Sequence, residues 1–201
     1  MKDFMIDLET MDNGPTSAIV QIGAVFFDID SGKIGNEILV NVNLQDEMDN
    51  GFTVNGDTIM WWMSQDDKTW LKGHKMNSRS GAQNLVNFLS NNGPSKSRVW
   101  SHSTFDAPIV MYHFNKHGMR NPVRYGSWYD LRTIGYLAKG LGSIPHTERP
   151  EGTHDALVDA RYQVEWLVVC WDIIKRLKDL KEITPAKAKA AKDMLAQGRV
   201  T

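Results

Sequence analysis

Four acids and one histidine have the types and spacing that could bind metal or move a proton. Asp7 and Glu9 end the apolar run Phe4-Met5-Ile6, two residues apart. In a strand, positions i and i+2 share a face and lie about 6.6–6.8 Å apart along the chain. Two carboxylates aimed the same way repel, and a cation between them relieves the repulsion. Taken alone, the pair also reads as a solvated strand end. Asp106 opens a helical stretch in Ser103-Thr104-Phe105-Asp106-Ala107-Pro108, where a helix cap is the simpler account. Asp159 is harder to dismiss, because it lies between Ala156 and Ala160 on or beside an apolar helical stripe. A buried carboxylate without a partner is costly, and a metal ion is a natural partner. Magnesium and manganese take oxygen ligands, which suits carboxylates in a chain with one cysteine. His154 precedes Asp159 by five residues, and an ordinary imidazole titrates near neutrality, as a general base should.

The elements that must position these residues are legible from periodicity. Residues 3–8, 18–29 and 34–42 read as three strands, with Asp30-Ser31-Gly32-Lys33 as the hairpin turn between the second and third. The period then changes. Residues 57–65 read as a helix capped by Asp57, and 79–91 as another with Leu85, Phe88 and Leu89 on one face. Residues 99–101 form a short strand. A helix runs from Asp106 to His117, with Pro108 in its first turn and Gly118 as the stop. Residues 123–127 read as a strand and 131–139 as a helix capped by Asp130. The longest helix runs from about Asp155 to Leu180, and its apolar stripe takes in Ala156, Ala160, Val164, Leu167 and Trp171. Cys170 falls in the apolar stretch of that helix and reads as core packing. Three strands followed by alternating helix and strand predict an α/β fold. Its mixed sheet has an antiparallel meander plus parallel strands, and helices on both faces.

Residues 1–180 form the expected domain, and 181–201 a basic helical tail of it, started by Thr184-Pro185 and ended by Gly198. The tail lysines read as a solvated helix face, with the backbone of a nucleic acid as the alternative partner. With 23 Lys+Arg against 24 Asp+Glu, the chain is no basic wrapper of nucleic acid, so any polyanion must be held by a local patch or by metal. The 41% hydrophobic content excludes wholesale disorder. No signal peptide and no run of about 18 apolar residues is present, so the expected setting is the cytoplasm, or a host's cytoplasm for a phage protein, with no membrane partner.

Taken in order, Asp-x-Glu-Thr at 7–10, Phe-Asp at 105–106 and His-x4-Asp at 154–159 resemble the three motifs of the DEDDh 3′–5′ exonucleases, a branch of the ribonuclease H-like superfamily. A narrower likeness rests on Trp61-Trp62 with Gln65, Phe105-Asp106-x-Pro108-Ile109, Asp130-x-Arg132-Thr133 and His154-Asp155. These are similar to the small phage and bacterial group of the T4 exonuclease DexA and a mycobacterial exoribonuclease. One departure is His102, where many members carry Asn four residues before the second-motif Asp.

The resemblance implies a ribonuclease H-like fold and a metal-dependent 3′–5′ exonuclease that releases nucleoside 5′-monophosphates from single-stranded ends. DNA is slightly favoured over RNA. The alternatives are an exoribonuclease or oligoribonuclease and, in another class, a catalytically silent nucleic-acid-binding module. The implied cofactors are two divalent cations, Mg2+ or Mn2+, about 3.5–4 Å apart. Asp7 would bridge them, Glu9 and Asp159 would bind the first, and Asp106 would hold metal directly or through water. His154 would be the general base. Thr10 would contact the 3′ end, Met11 would pack on the base, and Phe105 would line the substrate site. Trp61 and Trp62 are about 100° apart on a helix, so one is expected in the core and one near the cleft, where stacking on a base contributes about 1–3 kcal/mol. Arg132 would meet phosphate or pair with an acid. A homodimer is also in keeping with the resemblance.

Overall fold

The computed structural model describes residues 2–66, 68–141 and 154–180. Strand β1 (Asp3–Thr10) is buried at every position, as a central strand covered on both faces must be. It pairs antiparallel with β2 (Ile19–Phe27), which pairs antiparallel with β3 (Ile34–Val42). The other strands are parallel to their neighbours: β4 (Lys75–Met76) on β3, β5 (Arg98–Ser101) on β1 and β6 (Trp128–Asp130) on β5. The sheet order is β4-β3-β2-β1-β5-β6. The helices are α1 (Leu44–Asp49), α2 (Gly56–Ser64), α3 (Ser78–Asn92), α4 (Asp106–Lys116), α5 (Leu131–Leu141) and α6 (Ala156–Leu180).

Alternation along β1 divides the core. Phe4, Ile6 and Leu8 pack with Leu85, Phe88 and Leu89 of α3 and Ile109, Val110 and Phe114 of α4. Met5 packs on the other face with Trp100, Leu131 of α5 and Ala160, Val164 and Leu167 of α6. A third cluster joins Met11, Ala18, Val20, Phe52 and Trp62, and it ties α2 to the end of the sheet. The mixed sheet with helices on both faces is therefore as expected, and Cys170 is buried.

Several local readings are corrected. Asn55, not Asp57, caps α2: its side chain accepts from the amides of Asp57 and Thr58, and Asp57 falls in the first turn, where a negative charge suits the helix dipole. The strand expected at 123–127 lies at Trp128–Asp130, because Tyr125–Ser127 form a 3-10 turn that first brings the chain alongside β5. Helix α1 and strand β4 are too short to show a period. Asp155 stands outside α6 as its cap, with Oδ1 accepting from the amides of Leu157 and Val158 at 3.1 Å. The tail 181–201, His146 and the residues 150–153 before His154 lie outside the described residues. Among the described residues, no helix is long and apolar enough to cross a membrane.

Candidate metal centre and nucleotide cleft

Because Phe4, Ile6 and Leu8 enter the α3–α4 layer, the alternate residues Met5, Asp7 and Glu9 face α6. Helix α6 is seated there by two residues of β2. Gly23 stands opposite Asp7 in the ladder, and a Cβ at Gly23 would lie 2.1 Å from the Ala156 carbonyl oxygen. Only a glycine lets the helix start come this close. Gln21 stands opposite Glu9, and its buried Oε1 accepts from the Ala156 amide at 2.8 Å. One turn further along α6 lies Asp159, buried, with Oδ2 accepting from the His154 amide at 3.0 Å. The next turn brings Gln163, whose Nε2 donates to Asp7 Oδ1 at 2.6 Å.

Asp106 approaches from the opposite layer at the start of α4 and is buried. Its Oδ2 takes no hydrogen bond among the described residues. Burial, reinforced by Asp7, holds the Asp106 carboxyl well above the ordinary carboxylate range, against partial relief from the backbone of His102 and Leu8. Burial likewise pushes the Glu9 carboxyl up to about 9, with Asp7, Asp159, Asp106 and Asp155 adding to the rise. Glu9, His154 and Asp159 each offer a ligand atom, and these atoms lie within 4.8 Å of one another. The four predicted acids thus converge from β1, α4 and α6.

This donor set fits a hard divalent cation. It is rich in oxygen and buried, it carries excess negative charge, and one of its carboxylate oxygens is without a hydrogen bond. His154 holds a left-handed backbone (φ 77°), uncommon for a residue with a Cβ. Its ring stands edge-on to Trp61 at 4.8 Å and to Trp62 at 5.8 Å, which turns the imidazole toward α2.

A cleft of about 410 Å³ opens beside Glu9, lined also by Thr10, Asn13, Asp57, Thr58, Trp61, Trp62 and Phe105. The two tryptophans divide their roles as their angular separation predicts. Trp62 is buried and donates Nε1–H to the Thr10 carbonyl at 2.9 Å, whereas Trp61 is 43% exposed on the cleft wall. Thr10 lines the cleft, and its hydroxyl donates to the Asp12 carbonyl at 2.7 Å. Met11 is placed otherwise than expected. Its side chain is buried with Ala18, Val20, Phe52 and Trp62 and does not line the cleft, so it is not available to pack on a base. Arg132 is exposed and belongs to a second cleft with His102, Leu131, Asp159, Tyr162, Gln163 and Trp166. Asp130 caps α5 through the amide and hydroxyl of Thr133 and also holds Ser103.

Sequence reasoning passed over Gln21, Gly23, Asn13 and Gln163. Two of them carried a signal: Gln163 is four residues from Asp159 on one helix face, and Gln21 is the one uncharged polar side chain in the run Ile-Val-Gln-Ile-Gly-Ala-Val-Phe-Phe.

No curated protein matches the chain. Among solved structures it is similar to E. coli Exonuclease I in complex with a dT13 oligonucleotide, at a TM-score of 0.67 and 14% identity, over 94% of this chain and 45% of that one. Exonuclease I from Methylocaldum szegediense matches at a TM-score of 0.62 and 13% identity, over 85% of this chain and 40% of that one. The chain spans less than half the length of these structures, and identities this low show a common fold. The description of the Rv2179c-like 3′-5′ exoribonuclease domain matches residues 2–171. With most of its length covered, the chain belongs to that family, within the DEDDh 3′-5′ exonucleases of the ribonuclease H-like superfamily.

Proposed function

We propose that this chain hydrolyses phosphodiester bonds one at a time from the 3′ end of single-stranded nucleic acid and releases nucleoside 5′-monophosphates. The carrying observation is the convergence of Asp7, Glu9, Asp106 and Asp159, all buried, in one cluster whose Glu9 lines a cleft walled by Trp61 and Phe105. Those four acids would hold two divalent cations, Mg2+ or Mn2+. When bound, the cations supply charge stabilisation for the phosphoryl and leaving oxygens and make water a nucleophile at neutral pH.

The chain's own residues do the rest. Trp61 and Phe105 offer apolar surface to the terminal nucleoside, and the turn at Thr10 limits how deep it can sit. Gln163 holds Asp7 in one orientation, and Asp159 is held by the His154 amide. An imidazole nitrogen of His154 takes the proton from the attacking water. The water oxygen bonds to phosphorus, the bond from phosphorus to the 3′ oxygen of the preceding nucleotide breaks, that oxygen takes a proton from solvent water, and His154 returns its proton to solvent. Single-stranded DNA is the first substrate, since the phage-type motifs lean that way and the structures of similar fold were solved with dT13 and dA16. RNA is the second reading, favoured by the family's description.

The test is a product ladder. Matched 5′-labelled DNA and RNA strands are incubated with manganese, magnesium or EDTA, with Asp7→Ala as the control. A metal-dependent ladder shortening from the 3′ end, absent from the variant, is expected. No ladder on either strand from folded wild-type protein would refute the proposal.

A further inference from the structure

The carboxylate cluster opens on two sides. Glu9 lines the cleft walled by α2, whereas Asp159 lines a separate cleft of about 390 Å³ between the end of β5 and helices α5 and α6. The two differ in charge. Among the described residues the α2 cleft has no Lys or Arg in its lining, and it includes the acids Glu9 and Asp57. The α5–α6 cleft includes Arg132, which is exposed and makes no hydrogen bond or ion pair among the described residues. Tyr162 and Trp166, one turn apart on α6, line the same cleft.

Its walls are built rather than incidental. The first turn of α5 is tied to the segment after β5, because Asp130 accepts from both Thr133 and Ser103. Helices α5 and α6 meet through Gly135, where a Cβ would fall 1.9 Å from the Trp166 ring, so the glycine makes room for the indole. Gln163 in the same wall donates to Asp7 and so joins this cleft to the metal-binding acids.

Strand chemistry then assigns the cleft, given the exonuclease reading above. A terminal nucleotide in the α2 cleft brings one phosphate to the acids, the one that joins it to its neighbour. The neighbour must leave on the other side of the acids, and its own 5′ phosphate is the next anion along the strand. An unpaired guanidinium is the side chain best matched to a phosphate, through two parallel N–H···O bonds. We infer that the α5–α6 cleft seats the penultimate nucleotide, with Arg132 on its 5′ phosphate and the rings of Tyr162 and Trp166 beside its sugar and base. Arg132 is here a positioning and binding residue that acts one phosphate away from the bond cleaved.

The experiment removes that one charge from the substrate. Release of the first 3′ nucleotide is measured from an eight-residue oligothymidylate and from the same strand with a neutral methylphosphonate at the second linkage from the 3′ end. If the ladder favours RNA, the uridylate pair replaces it. The wild type is expected to show a kcat/KM about tenfold or more lower on the neutral-linkage strand, chiefly through KM, as suits loss of a charge-assisted contact. Arg132→Ala is expected to be slow on both strands and indifferent to the replacement, while Arg132→Lys recovers part of the sensitivity. The inference is overturned by a wild type indifferent to the methylphosphonate, or by an Arg132→Ala variant as sensitive as the wild type. A wild type that leaves the unmodified strand intact overturns the exonuclease reading itself, and this inference with it.

Discussion

Removing metal should make the stability of this protein fall as pH rises, and the structure sets the slope. Burial and four neighbouring acids push the Glu9 carboxyl from 4.5 up to about 9. Below about pH 4.5 the folded and unfolded chains both hold this proton, and the full stability is present. Above it the unfolded chain ionises while the folded chain keeps the proton until about pH 9. Across that window the native state binds one proton more, so stability falls by about 1.4 kcal/mol per pH unit. For a chain of this size, that is a loss of about 3–6 °C in Tm per unit between pH 6 and 8. Asp106, raised by the same burial, acts with the same sign. A divalent cation displaces the proton, so the Tm gap between Mn2+ and EDTA should widen with pH. The assay is thermal unfolding in both conditions from pH 6 to 9, with Glu9→Gln alongside. The variant should flatten the EDTA curve and be more stable than wild type at pH 8. An EDTA curve that is flat or rises with pH, or one equally steep in Glu9→Gln, would show that this cluster does not carry the linkage.

Four further outcomes follow from the same geometry. Asp106→Asn removes, at nearly constant volume, the cost of keeping a buried carboxyl protonated above its ordinary range, so it should raise Tm in EDTA at pH 7 while cutting exonuclease turnover at least about a hundredfold; a lower Tm counts against the linkage argument. His154→Ala should lower kcat by about 10²–10⁴-fold with a smaller change in KM, as steady-state assays would show. Gly23→Ala forces a methyl against the Ala156 carbonyl, a backbone atom that can yield only by moving α6. Denaturant titration should show a loss of about 1–3 kcal/mol, and calorimetry a weaker Mn2+ affinity. Trp61→Ala should raise KM and leave Tm nearly unchanged, whereas Trp62→Ala should cost about 3–5 kcal/mol of stability, since only the second indole is buried.

What could be read before the structure divides along physical lines. Asp7 and Glu9 were legible because a two-residue period orients both to one face, and Asp159 because a charge on an apolar helical stripe demands a partner. The two tryptophans separate because adjacent helical positions diverge by about 100°. The burial of Met11 has the same kind of cause. The β1–β2 ladder slips at Glu9 and Thr10, so the alternation that aims Asp7 and Glu9 does not reach Met11, which turns into the cluster with Ala18 and Val20. Strand β6 has three residues and one neighbour, so its place is decided by pairing with β5 rather than by its own pattern. Asn55, two residues before Asp57, is as good a cap by residue type, and local preference does not choose between Asn and Asp.

The larger omission concerns β2, which contributes no acid to the cluster yet determines whether the cluster exists. Asp7 and Glu9 are fixed by β1, but Asp159 belongs to a helix that begins about 150 residues later. Something must measure the distance between them. Gly23 and Gln21 stand in register with Asp7 and Glu9, and both act on Ala156: one by leaving space for its carbonyl, the other by accepting its amide hydrogen. A side chain at the first position would lift the start of α6 from the sheet, and loss of the second would leave a buried amide without its acceptor. Either change displaces Asp159, three residues on, by a rigid movement of the first helical turn. A divalent cation requires its ligands within a few tenths of an ångström, so that movement reaches the chemistry without altering any acid. The pair makes a strict demand of the double variant. Gln21→Leu and Gly23→Ala disturb the same contact, so their combined loss of Mn2+ affinity should be less than the sum of the single losses. Strict additivity would mean that they do not share Ala156 as their point of action.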